Sequence, residues 1–216
     1  MKIRSYTIAA ISLALCFNSR ADFISASETV NTLIPDNDLS GLASTISLGS
    51  SSGHISSIVL TLDLGGTPSA FNGDYYAYLT HGSILVPLLN NVGEPAAPFG
   101  YADNGFDVTF KDSGPNIHNY QNFNYTFNAN QQLTGTWSPD GGMLSLFDGQ
   151  NAGGNWTLFV ADTSAGGTGN LNNWSLELTT VVPDNGGTLS LLCLGMISIG
   201  LWKLRGRRLT SCAAKE

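Results

Sequence analysis

Cysteine is almost absent from this 216-residue chain, and its few copies lie near the ends. Cys16, Cys193 and Cys212 leave residues 22–182 without a thiol. Disulfide bonds and a cysteine nucleophile are therefore excluded from that segment. About 160 residues must then be held together by burial alone, and a chain of that size buries roughly 70% of its unfolded surface.

Basic residues are equally scarce in the same segment. Lys111 is the one Lys or Arg among residues 22–182, against fourteen Asp and Glu, so the segment has a net charge of −13. Nucleic acid is excluded as a partner, because phosphate binding needs Lys and Arg. An acidic surface instead suits solubility and divalent cations.

The N-terminus has the three parts of a secretory signal peptide. Basic side chains occur within residues 2–4, an apolar segment follows at residues 6–17, and residues 19–21 place small side chains where signal peptidase reads. We predict a signal peptide over residues 1–21, export of the product and a mature start at Asp22. The alternative, a short buried helix, does not fit the flanking residues.

Residues 22–181 have the composition and periodicity of an all-β domain. Abundant Gly, Asn, Ser and Thr favour strands joined by turns. Apolar alternation predicts strands in "HISSIVLTLDL", "NWTLFVAD" and "NWSLELT", and two more flank the turn "HGS". We place Trp156 and Trp174 in the core rather than on a ligand platform. The loop "TSAGGTGNLN" is predicted to join neighbouring strands. Together these features predict a jelly-roll-like β-sandwich.

Four segments, in order, resemble the P domain (Homo B domain) that follows the catalytic domain of subtilisin-like proprotein convertases. They are "LIPDNDLSGLASTISL", "NGDYYAYLTHGSILVPLLNNVG", "GYADNGFDVTFKDSG" and "LTGTWSPDGGMLSLFDGQNAGGNWTLFVADTSAGGTGNLNNWSLEL". The resemblance spans residues 30–180 and implies a β-sandwich module. Within it, Asp162 is interpreted as ending a strand and capping the next loop.

The histidines give no sign of a catalytic assembly. His54, His81 and His118 have no nucleophile motif such as G-x-S-x-G nearby. We therefore expect the chain not to be an enzyme, although a Ser-His-Asp assembly formed across the fold stays open at this stage.

Acidic residues in or beside predicted loops are candidate ligands for calcium, which takes six to eight oxygens. The candidates are Asp74, Asp103, Asp107 and Asp112. Their spacing is not that of an EF-hand, and a solvated acidic surface with Asx-turns is the competing interpretation.

Residues 182–208 combine a turn motif, an apolar run and a basic cluster, and residues 209–216 form a predicted cytoplasmic tail. The apolar run at residues 188–202 predicts a short transmembrane helix, but its 15 residues fall below the 20 or so of a stable span. The order of these parts resembles the PEP-CTERM class of bacterial sorting signals, especially its VPDSG variant. The residues that carry the resemblance are Val182, Pro183, Asp184, Asn185, Gly186, Lys203, Arg205, Arg207 and Arg208.

The sorting resemblance implies an exosortase-type membrane protease as a partner, transient inner-membrane association, loss of the tail and transfer to the cell surface or extracellular matrix. Asn185 stands where the variant has Ser, which leaves the processing enzyme open. Retention of the tail as an anchor is the alternative.

Three functions follow from these features. The first is an exported, non-catalytic β-sandwich with a binding or structural role, whose partner is an exopolysaccharide or an envelope protein. The second is an accessory domain for a separate subtilisin-like serine endopeptidase. The third is a hydrolase of matrix polymers, for which no spacing singles out a carboxylate pair.

Overall fold

The computed structural model of the protein describes residues 20–51, 53–66 and 70–182. The predicted signal peptide up to residue 19, and the predicted sorting signal beyond Val182 with its apolar helix and basic cluster, lie outside the described residues. Among those that are described, no helix has the length and apolar character needed to cross a membrane.

The described residues fold into ten strands and three short 3-10 helices. The strands are β1 (Arg20–Leu33), β2 (Asp38–Leu48), β3 (His54–Gly65), β4 (Tyr75–His81), β5 (Ile84–Asn90), β6 (Phe106–Phe110), β7 (Thr126–Phe127), β8 (Leu133–Trp137), β9 (Gly154–Asp162) and β10 (Asn170–Val182). The 3-10 helices are Asn72–Asp74, Ile117–Asn122 and Leu144–Phe147. Strand β1 begins two residues before the predicted mature start, and Val182 of the sorting motif ends β10.

The strands form two sheets. One sheet has the order β1-β10-β3-β6-β8-β7, and the other has the order β2-β9-β4-β5. All pairs with a described register are antiparallel except β6 with β8. The prediction of an all-β sandwich is confirmed.

Period-2 alternation places the predicted apolar faces in the core. In β3, Ile58, Leu60, Leu62 and Leu64 are all buried. The strand lies between β10 and β6, so its backbone is paired on both sides and its apolar face needs cover from the opposite sheet.

Two tryptophans lie in the core, as predicted. Trp156 of β9 and Trp174 of β10 are both 0% exposed. The indole Nε1 of Trp174 donates to the Ser44 hydroxyl of β2, across the sandwich, at 2.9 Å. The indole Nε1 of Trp156 donates to the Ala152 carbonyl at 3.1 Å. Each buried indole N–H is thus satisfied, which burial of a polar group requires.

The prediction that "TSAGGTGNLN" joins neighbouring strands is wrong. Strand β9 pairs with β2 and β4, whereas β10 pairs with β3 in the other sheet. The loop crosses between sheets because alternation specifies which face is buried but not which strand is the neighbour. The loop passes close to the residues that follow β3. A Cβ on Gly66 would collide with the Thr168 carbonyl of the loop, so glycine is required there.

Replacing Trp174 with Ala should lower the free energy of unfolding by about 3–5 kcal/mol, because it empties a large core site and leaves Ser44 without its partner. Urea denaturation of the full chain measures this loss. Leu146→Ala is the control, since Leu146 is 56% exposed and should change stability by less than about 0.5 kcal/mol. Equal losses in the two variants would contradict the two-sheet core.

Candidate ligand-binding site

A pocket of about 750 Å³ opens where the ends of β1 and β3 and the start of β10 meet the turn between β7 and β8. Its lining, as far as the structure describes it, is rich in carboxamide side chains and carries no charged side chain. The lining residues are Leu33, Gly65, Gly66, Asn104, Ala129, Asn130, Gln131, Gln132, Thr168, Asn170 and Asn172. We call this the amide pocket. It was not predicted from the sequence.

The turn of residues 128–132 is organised around the side chain of Asn128. Its Oδ1 accepts the backbone N–H of Asn130 at 2.9 Å and that of Gln132 at 3.1 Å. Its Nδ2 donates to Gln132 Oε1 at 2.9 Å. These bonds fix the backbone of the turn before any ligand arrives.

Gln132 anchors that turn to the sheet. Its side chain is 4% exposed, and its Nε2 donates to Asp63 Oδ1 at 2.7 Å and to the Leu64 carbonyl at 3.2 Å. Asn172 also donates to Asp63 Oδ1, at 3.0 Å. The Asp63 carboxylate therefore links the turn, through Gln132, to β10, through Asn172.

Gln131 has a strained backbone. Its φ is +63°, in the left-handed region, and every other described residue with a φ in that region is Gly or Asn. Such a conformation costs a side chain such as Gln about 1–2 kcal/mol. Strained residues of this kind cluster at functional sites.

Four polar side chains of the pocket have no hydrogen-bond partner within the described part of the chain. They belong to Asn130, Gln131, Thr168 and Asn170, all exposed. Asn104, by contrast, is engaged, because its Nδ2 donates to the Asn130 carbonyl at 3.1 Å. The unpaired side chains are available to a ligand.

Three predicted calcium ligands, Asp103, Asp107 and Asp112, have carboxylates that accept hydrogen bonds from the protein. Asp103 accepts the Tyr120 hydroxyl at 2.5 Å and Gln121 Nε2 at 2.8 Å. Asp107 is the second residue of β6 and accepts Asn128 Nδ2 at 3.1 Å. These two carboxylates therefore serve the loop and the turn beside them.

The other two predicted ligands also have structural contacts. Asp112 caps the 3-10 helix Leu144–Phe147, since its two oxygens accept the N–H groups of Leu144 and Ser145 at 2.6 and 2.8 Å. Asp74 is the buried last residue of the 3-10 helix Asn72–Asp74, just before β4, and its carbonyl accepts the Thr163 N–H at 2.7 Å. In residues 20–182, outside the short undescribed gaps, no three His, Cys, Asp or Glu side chains form a group that could hold a metal ion. Calcium binding stays a prediction.

Asp162 caps its loop as predicted but is also deeply buried, which the sequence did not indicate. It is 1% exposed, and its Oδ1 accepts the Ser164 N–H at 3.2 Å. Its Oδ2 and the hydroxyl of Tyr75 have no partner in the described residues. Burial raises the pKa of Asp162 to about 6, and the nearby charges of Asp74 and Asp36 add to the rise.

The imidazole nitrogens of His81 and His118 are occupied. Those of His81 contact the carbonyl oxygens of Asn155 and Asn151 at 3.0 and 2.7 Å. Those of His118 contact Asp140 Oδ2 at 2.8 Å and the Glu94 carbonyl at 2.5 Å. Neither ring is free to take a proton from a nucleophile.

The contact between His118 and Asp140 is the one ion pair in the described part of the chain. Partial burial opposes the imidazolium, but the hydrogen bonds that its N–H groups donate to Asp140 and to the Glu94 carbonyl outweigh it and raise the pKa of His118. Burial also raises the pKa of Asp140, against the opposing pull of His118. The raised pKa of Asp140 disfavours the charged carboxylate that an ion pair requires. We nevertheless favour the ion pair, because Asp140 Oδ2 and the Glu94 carbonyl provide an acceptor for each N–H of the charged His118 ring.

Comparison with known families finds a match in the second half of the sandwich. Residues 104–178 match the family model of the proprotein convertase P-domain. The match runs from just before β6 into β10, and the P-domain segment therefore supplies the turn and the β10 wall of the amide pocket. No curated protein matches the chain.

The P-domain resemblance inferred from the sequence is thus confirmed over residues 104–178. A P domain is a non-catalytic accessory domain. Leu33, Gly65 and Gly66 of the amide pocket lie outside the matched residues.

Asp162→Asn should stabilise the protein near neutral pH. Because the folded-state pKa of about 6 lies above the ordinary value of 3.8, the contribution of Asp162 to stability is complete below pH 3.8 and is lost as the pH rises through 6. Urea denaturation in chelator should show a higher midpoint for the variant at pH 7, with a smaller difference near pH 4.

The control for this variant is Asp38→Asn. Hydrogen bonds from the Ser40 hydroxyl and N–H lower the pKa of this exposed carboxyl, so its contribution is present at pH 7 and its loss should not stabilise the protein. A lower midpoint for Asp162→Asn at pH 7 would contradict the assignment of Asp162 as a buried, unfavourably charged group.

Calcium binding by the predicted carboxylates would raise the thermal unfolding midpoint, because a ligand that binds only the folded state stabilises it. The measurement compares the full chain in excess calcium and in chelator. A midpoint that does not differ between the two conditions would overturn the calcium prediction.

Proposed function

We propose that this chain is an exported, non-catalytic β-sandwich that acts at the cell surface or in the extracellular matrix by binding a partner. The amide pocket carries the proposal. It offers unpaired hydrogen-bonding side chains on a rigid turn, which is the arrangement of a binding site with a few placed polar groups. An exopolysaccharide or an envelope protein is the partner we propose.

The arrangement of the histidines supports a binding role over catalysis. A general base must reach the proton that it removes, and the rings of His81 and His118 are both held by acceptors. His54 lies at the surface, with its Nδ1 on the Gly149 carbonyl at 2.9 Å. No imidazole contacts a Ser or Thr hydroxyl among the described residues.

Export and sorting complete the proposal. The signal-peptide pattern of residues 1–21 and the resemblance of residues 182–208 to an exosortase substrate support delivery across the inner membrane, followed by removal of the tail.

An accessory role for a subtilisin-like serine endopeptidase is the second candidate, and the P-domain match favours it. In this role the sandwich would pack against a protease encoded separately. Co-purification from the producing cells distinguishes the two: recovery of a stoichiometric subtilisin-like protease would favour the accessory role over independent binding.

Mass spectrometry of the surface fraction from the producing cells tests export and sorting. We expect an N-terminal peptide that begins at Asp22 and no peptide from residues 204–216. Cells that lack the exosortase-type protease are the control, and they should retain the tail. Peptides from residues 204–216 on the mature surface protein would contradict the sorting proposal.

A further inference from the structure

We propose that the amide pocket binds a neutral, hydroxyl-rich ligand, namely a sugar unit of a glycan chain. The inference rests on the proposed binding function and specifies its ligand class and its residues. It follows from the charge, the hydrogen-bonding capacity, the backbone strain and the size of the pocket.

Charge disfavours an anionic ligand. The described lining has no charged side chain, and the carboxylates of Asp63 and Asp107, which are register partners across β3 and β6, bond to Gln132 of the lining and to Asn128 of its turn. Lys111 follows the far end of β6, about 17 Å along the strand from Phe106. An anion in the pocket would thus meet negative charge, with no compensating cation among the described lining residues.

Charge does not favour a cationic ligand either, because Asp63 is already satisfied. Its Oδ1 accepts Gln132 Nε2 and Asn172 Nδ2, and its Oδ2 accepts Asn173 Nδ2 at 2.9 Å. Three amide N–H groups thus cover the carboxylate. The pocket presents amides rather than the acid behind them, so a neutral ligand fits it best.

The hydrogen-bonding groups match hydroxyls. A carboxamide has two donors and an acceptor on one rigid plane, and a hydroxyl both donates and accepts. Asn130, Gln131 and Asn170 present such groups from two different elements, and Thr168 adds a hydroxyl. Adjacent hydroxyls of a sugar ring can therefore bridge the turn and the start of β10.

The backbone strain at Gln131 indicates a role for its side chain. Glycine would adopt φ +63° without a steric penalty, and Asn is the side chain that otherwise fills such positions here. The longer side chain of Gln131 is explained if its hydrogen bonds to the ligand offset the free-energy cost of the strained backbone. Folding alone does not require Gln131, because the Asn128 and Gln132 side chains hold the turn.

Size and apolar surface favour a sugar over a peptide. A volume of about 750 Å³ lies within the usual range of small-ligand pockets. Leu33, at the rim, is 57% exposed and offers an apolar surface to the C–H face of a sugar ring. A peptide would need pockets for alternate side chains, whereas Leu33 and Ala129 are the apolar side chains among the described lining residues.

A glycan array probed with the purified full-length chain tests the ligand class, followed by calorimetry with the best oligosaccharide. The array includes neutral and uronic-acid-containing oligosaccharides, and a peptide array is run in parallel. We expect retention on neutral glycans. Gln131→Gly should weaken their binding about threefold to tenfold, the effect of one or two lost hydrogen bonds, while the thermal midpoint stays equal or rises.

Asn170→Ala provides a second variant from a different element, and it should also weaken binding. Asn124→Ala is the matched control, because Asn124 is an exposed amide that does not line the pocket. Retention only on acidic glycans or peptides, or on nothing, would overturn the ligand class. Unchanged affinity for a neutral glycan in both pocket variants would overturn the site.

These outcomes are distinct from failure of the proposed function. Retention on peptides would leave a binding role intact with another ligand, and unchanged variants would leave it intact at another site. Mass spectrometry of the surface fraction tests export and sorting independently of any ligand.

Discussion

The packing of one sheet on the other is the constraint on which the rest of the structure depends. Without cysteine between residues 22 and 182, no covalent link holds β3 and β10 against β2 and β9. The apolar faces of the strands, with Trp174 reaching Ser44 across the interior, must supply that cohesion. Every loop that carries a polar site is positioned by strand ends that this core fixes.

The shortage of basic residues determines how the carboxylates are satisfied. With Lys111 alone among residues 22–182, hydrogen bonds from neutral groups take the place of ion pairs. Amides bind Asp63, backbone N–H groups bind Asp112, and Tyr120 and Gln121 bind Asp103. The same demand explains why Asn and Gln are concentrated around the turn of residues 128–132. The amide pocket is the exposed surface of this network.

The sequence predicts the strands better than it predicts the site. Alternation in β3, β9 and β10 identified their buried faces, because a strand with one face in a core must alternate. It could not tell that β9 and β10 belong to different sheets, since both carry the same pattern. The amide pocket could not be predicted from the sequence for a related reason. Its lining residues, such as Leu33, Asn104, Gln131 and Asn170, are far apart in the chain and meet only through strand register.

For the carboxylates, the sequence indicated candidate residues but not their contacts. Composition drew attention to Asp74, Asp103, Asp107 and Asp112, but it does not specify the partner of each one. Asp162 appeared as a loop cap, which it is, while its burial beside Tyr75 depends on the pairing of β4 with β9. Residue type thus indicates the chemistry available, and register decides where that chemistry is placed.

Hydrogen–deuterium exchange of the full chain measures most directly whether the two sheets share one core. The account predicts that the backbone amides of β3 and β10 in one sheet and of β4 and β9 in the other exchange slowest, and with the same opening free energy, because the sheets unfold together. Distinctly different opening free energies for the two sheets would contradict it.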